Sequence, residues 1–119
     1  MHRSEFVREL KEAVPEAVAA LKGYRHSLTM EMLAFTVLTQ EAIGAGDFGL
    51  VRRCFSFAHE VWSRGDRAVR NALVAGFLED LDFSGPHGEK AEQFLTTALR
   101  HERRAVLAYL EEVSSRGSS

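Results

Sequence analysis

The sequence predicts an all-α domain, an irregular antiparallel bundle or short helical repeat of five to six helices. Three observations carry that expectation. Only two prolines and nine glycines interrupt 119 residues, which leaves room for long helices. Apolar residues recur at three- and four-residue spacing in five segments. No segment alternates apolar and polar residues over the length of a strand.

The first helix is expected from Ser4, whose hydroxyl would cap it, with Glu5 placed to favour the positive end of the helix dipole. Pro15 either opens a second helix at its first turn or bends one longer helix, and Gly23 stops that segment. A long helix follows from Ser27 to Ile43. Leu28, Met32 and Phe35 share one face of it, and Leu33, Val37 and Leu38 widen its apolar surface.

Asp47 is the expected cap of the next helix, which carries two apolar stripes. Leu50, Cys54, Phe57 and Val61 form one; Val51, Phe55, Ala58 and Trp62 form the other. A helix apolar over so much of its circumference is expected at the centre, packed on two sides. Asp66 caps a further helix with Val69, Leu73, Gly76, Phe77 and Leu81 on its inner side. Gly76 there marks a place where another helix comes close. Ser84-Gly85-Pro86-His87-Gly88 is expected as a loop. One last helix then runs from about Glu89 to Val113, with Ala91, Phe94, Leu95, Ala98, Ala105, Tyr109 and Val113 facing inward. Residues 1–113 thus form a single helical domain, and residues 114–119 a disordered polar tail.

A 19-residue spacing links Gly46-Asp47 to Gly65-Asp66 and also separates Glu41, Glu60 and Glu79. Such an interval suits stacked antiparallel helices. Identity beyond those positions is slight.

Composition narrows function mostly by exclusion. Fifteen basic and seventeen acidic residues give a net charge of -2, so neither nucleic acid nor a membrane surface is expected as a partner. The single cysteine rules out an internal disulfide and a four-cysteine zinc site. Charges interrupt every apolar run near the N-terminus, so no secretory leader is expected and a cytoplasmic location is.

Sites of chemistry fare no better. Gly44-Ala45-Gly46-Asp47-Phe48-Gly49 has the glycine spacing of a dinucleotide-binding turn, but a helix precedes it where a strand is required. It reads as an interhelical turn. His59-Glu60 and His101-Glu102 begin like a zinc-protease helix, yet Ser63 and Ala105 stand where the second histidine is needed. Cys54 reads as a buried structural thiol. No catalytic residue, cofactor or metal is therefore expected. Asn71 and Glu79 lie eight residues apart on one side of their helix and would make a polar seam if buried.

Charge placement is more informative. Arginine outnumbers lysine twelve to three, and five arginines fall between Arg52 and Arg70. Acidic residues dominate from Glu79 to Glu92, and Arg100, Arg103 and Arg104 restore a basic patch. Such bipolar surfaces suit a charged protein partner. The expected contacts are Arg64, Arg67 and Arg70, or Glu79, Asp80 and Asp82.

The stretch from Gly65 to Leu81, with its Gly-Asp turn, Val69, Asn71 and Phe77-Leu78-Glu79-Asp80-Leu81 ending, resembles small uncharacterised bacterial helical proteins. The Phe55–Trp62 helix fits their layout as well. Some of those proteins are suspected immunity partners of bacterial toxins, so the resemblance implies a non-enzymatic, protein-binding role and transfers no catalytic residue. A homodimer closed by excess apolar surface on the 27–43 or 47–62 helix is the second expectation. A helix-lined ligand or metal site using His59, Glu60 and Glu79 is the third.

Overall fold

The computed structural model describes residues 1–24 and 27–117, and the described chain is all-helical. Its elements are α1 (Arg3–Ala13), α2 (Ala17–Ala20) with a 3-10 turn at Leu21–Gly23, and α3 (Leu28–Ala45). Then come α4 (Phe48–Arg64), α5 (Arg67–Leu73) continued by a π-helical stretch at Val74–Leu78, α6 (Gly85–Glu92) and α7 (Thr97–Gly117). Seven α-helices among the described residues exceed the five to six expected.

Caps explain most of the boundaries. Ser27 accepts from the Met30 amide at 3.1 Å, Asp47 from Leu50 at 3.2 Å and Asp66 from Val69 at 2.9 Å. Each satisfies an amide that no helical carbonyl can reach. The first helix departs from expectation: its cap is His2, not Ser4, and the Glu5 carboxylate reaches back to the His2 amide at 3.3 Å. Ser4 instead bonds the His2 ring at 2.8 Å. The two Gly-Asp turns also differ. Gly46 takes the left-handed φ of 69°, whereas Gly65 is extended at φ −64°. The 19-residue spacing therefore joins turns of unlike geometry.

The second half carries the larger corrections. Gly85-Pro86-His87-Gly88 is the first turn of α6 rather than a loop, because proline's missing amide would be unpaired there anyway. The single helix expected over 89–113 is two. Tight turns at Gln93, Phe94 and Leu95 close α6, and the Thr96 hydroxyl accepts from the Leu99 amide at 3.3 Å to open α7. That break shifts the register, so Leu99 is buried while Ala105, Tyr109 and Val113 are exposed. The described part of α7 extends to Gly117, and residues 118–119 of the expected tail lie outside the described residues.

The core is aromatic and centres on α3, which packs against α2, α4, α5, α6 and the Val74–Leu78 stretch, rather than on α4 as expected; α4 packs against α1, α3, α5 and α7. Phe35 of α3 stacks on Phe77 at 4.6 Å between ring centroids and meets Phe57 edge-on at 5.7 Å. Phe6 of α1 joins at 5.9 Å from Phe57, and Phe55 at 6.4 Å from Phe77. Burial of these rings supplies much of the driving force for folding. Gly76 sits where α3 approaches: a Cβ there would lie 3.3 Å from Met32 Cγ. The Thr36 hydroxyl lies 2.7 Å from the Gly76 carbonyl and 2.8 Å from the Met32 carbonyl, one proton serving two acceptors.

Leu33 and Val37, expected to widen the apolar surface of α3, are exposed beside Met30. On α7 no described residue beyond Leu99 is buried.

Candidate interaction surfaces

Of the first basic group, Arg64 is already occupied. Its guanidinium holds the Glu9 carboxylate with two contacts, at 2.8 and 3.4 Å, and lies 3.7 Å from Glu60. Its carbonyl accepts from the N-terminal ammonium of Met1, which ties the start of α1 to the end of α4. Arg70 donates to the Ser63 carbonyl at 3.2 Å and rests 5.3 Å from the Trp62 ring. Arg67 is exposed and makes no ion pair with any described residue. Among the described residues Arg67 and Arg70 both keep an uncompensated charge, and Arg67 alone of the three is also left without a contact that orients it.

The acidic group divides in the same way. Glu79 is half-buried and Asp80 exposed. Asp82 accepts from the Ser84 amide at 2.8 Å, and the hydrogen bonds from Ser84 hold its carboxyl below the usual aspartate range. Its backbone is clamped by Gln40, which donates to the Asp82 carbonyl at 3.0 Å and accepts from the Asp82 amide at 2.8 Å. Asp82 thus fixes the 79–84 connection to α3, and Asp80 is the residue left to meet a partner.

The chemical alternatives disperse. His59 lies 3.0 Å from the Thr96 hydroxyl, and Glu60 is exposed near Arg64. No group of three or more metal-ligating side chains forms among the described residues. Asn71 is exposed, so the expected polar seam with Glu79 does not form. Cys54 is buried, and desolvation pushes its thiol up to about 11, which keeps it protonated and unreactive at neutral pH. Arg52 and Arg53 point away from it, over the Phe94 ring at 4.3 Å and to Glu16 at 2.6 Å.

Two further surfaces stand out, of which only the basic patch at Arg100, Arg103 and Arg104 is visible in the sequence. One is the outer half of α7. Val106, Leu110 and Val113 follow Leu99 at helical spacing, so the face that is buried at Leu99 continues into solvent. Leu107, Leu110 and Val113 are 36%, 36% and 44% exposed, and Tyr109 is 63% exposed. The inward positions expected at Ala105 and Tyr109 follow from one unbroken helix over 89–113, and the break at Gln93–Thr96 turns them outward. The other is a cleft between α6 and α7 lined by Glu92, Gln93, Leu95, Arg100, Arg103 and Arg104.

The family model described as Domain of unknown function (DUF7674) matches residues 7–113. The chain belongs to that family. No curated protein and no solved structure matches it. The DUF7674 match runs from within α1 through most of α7 and includes both of these surfaces. No described helix of the DUF7674 chain is long and apolar enough to cross a membrane.

Proposed function

We propose that this DUF7674 chain is a non-enzymatic protein-binding module, acting as an immunity-type inhibitor that covers the active site of a bacterial toxin. The observation that supports binding is the uncovered apolar face of α7, at Leu107, Leu110 and Val113, since contiguous exposed apolar surface marks interaction sites. Arg67 and Asp80 supply exposed charge for steering and register. Support for the inhibitor role comes from the resemblance carried by Gly65–Leu81.

Affinity capture from the native host, with the full chain as bait, tests this. One dominant partner is expected, recovered in stoichiometric amount and released at high salt. Arg67→Glu and Asp80→Lys would each weaken the complex roughly tenfold, the scale of a lost charge contact in an interface. Reversals at both positions without effect would remove the charged contact from the proposal. Recovery of the bait alone would overturn the module itself. It would favour the homodimer, for which Met30, Leu33 and Val37 on α3 offer a second apolar face.

A further inference from the structure

The cleft between α6 and α7, about 170 Å³ in volume, is lined by three arginines. One carboxylate lines it with them. Glu92 lies 3.5 Å from Arg103 and is itself 46% exposed. Asp82 is close enough to Arg103 for the charge to be felt, but it does not line the cleft.

The anchoring of the arginines matters more than their number. Arg100 donates to the Glu92 carbonyl at 3.1 Å, and Arg103 donates to the Leu81 carbonyl at 3.2 Å. Arg103 also rests on the Phe83 ring, 4.8 Å from its centroid. Carbonyls and a ring face orient a guanidinium without cancelling its charge. The Nε atoms of Arg100 and Arg103 are both buried and have no hydrogen-bond partner, so part of their donor capacity is unspent. Arg104 is exposed at the rim and makes no ion pair with any described residue. The lining residues therefore carry three positive charges against one negative, with two guanidiniums held in place and a third free to close.

We infer that this cleft binds a phosphate monoester dianion. A dianion matches the net charge of the lining, and its three terminal oxygens match the planar donor forks of arginine. A carboxylate would leave one charge and several donors unanswered. This inference stands apart from the protein-binding role, because the cleft lining includes none of Leu107, Leu110, Val113, Arg67 or Asp80 and the test reads phosphate binding directly.

The test is a titration of the full chain, 15N-labelled, followed through its arginine Nε–H and backbone signals by NMR at constant ionic strength. Probes are inorganic phosphate, glycerol 3-phosphate, a phosphoserine peptide, and dimethyl phosphate as the singly charged control. Saturable shifts centred on residues 92–104 are expected with the dianions and not with dimethyl phosphate. Arg104→Gln, an exposed substitution, would weaken glycerol 3-phosphate binding roughly tenfold, about the loss of one charge-assisted contact. Arg8→Gln, an exposed substitution on α1, would leave it unchanged. Tighter binding of the peptide than of glycerol 3-phosphate would place the phosphate on a protein, and the reverse on a small metabolite. Equal shifts from dimethyl phosphate, equal losses in the two variants, or no shift with any dianion would each overturn the site.

Discussion

Glu16 and Arg53 meet across 37 residues of chain, joining the turn before α2 to the middle of α4 through contacts at 2.6 and 2.9 Å. The guanidinium holds the Glu16 carboxyl well down, to about 2 from an ordinary 4.5. Between those values the unfolded chain binds the proton that the folded chain refuses, so stability rises with pH across that window. The contribution is complete above pH 4.5 and is lost as the pH falls through about 2. Both side chains are more than 40% exposed, so solvent screens the pair and its share is small. Glu16→Gln should flatten the acid limb of a urea-midpoint series taken across that window, leaving the curves parallel at higher pH. An unchanged acid limb would mean that the pair is too well solvated to matter. At this scale the sequence was legible where one residue acts on its own backbone, as Asp47 and Asp66 do when they cap α4 and α5. Pairings across tens of residues, such as Arg53 with Glu16 or Arg64 with Glu9, depend on packing that no local pattern encodes.

Helices declare themselves through apolar spacing, and α3, α4 and α5 begin within a residue or two of where that spacing places them. The errors cluster in the stretch from Ser84 to Thr96, where two different turn chemistries act. Pro86 opens a helix there, and Thr96 caps one inside what reads as a single periodic run. The π-helical stretch at Val74–Leu78 is equally silent in sequence, since it is a single five-residue turn within a continuous helical run and carries no Gly-Asp or proline signal of its own. Gly88 tests how tightly α6 is set against the chain that leads into it. A Cβ at that position would lie 2.3 Å from the Phe83 carbonyl carbon and 2.4 Å from its oxygen, and backbone cannot rotate aside as a side chain can. Gly88→Ala should therefore destabilise by about 3 kcal/mol, the upper part of the range for overpacking. Gly44 is the control: it lies within α3 and has nothing within 4 Å of an added Cβ. Gly44→Ala should be neutral or stabilise by up to about 1 kcal/mol through helix propensity. Equal effects from the two, measured as urea midpoints, would show that contact with Phe83 does not position α6.

Across the whole molecule, stability and recognition separate along α7. At about 1.5 Å per residue its 21 residues span about 31 Å, against a longest molecular extent of 45 Å. Leu99 anchors its first turns in the core, and none of the described residues after it is buried. A helix end that buries so little cannot add much to the cooperative unit, because tertiary packing stabilises helices more than propensity does. Yet its apolar residues keep one face over Leu107, Leu110 and Val113, a pattern with no use in a solvated extension. The two statements are compatible if that face is completed by another molecule. Deleting residues 109–119 should then lower the helical circular-dichroism signal while leaving the urea midpoint close to that of the full chain. The same deletion should abolish recovery of the captured partner. A collapse of the midpoint would show that the outer half of α7 supports the core directly. Retention of both midpoint and partner would move recognition off α7 and onto the surface around Arg67 and Asp80.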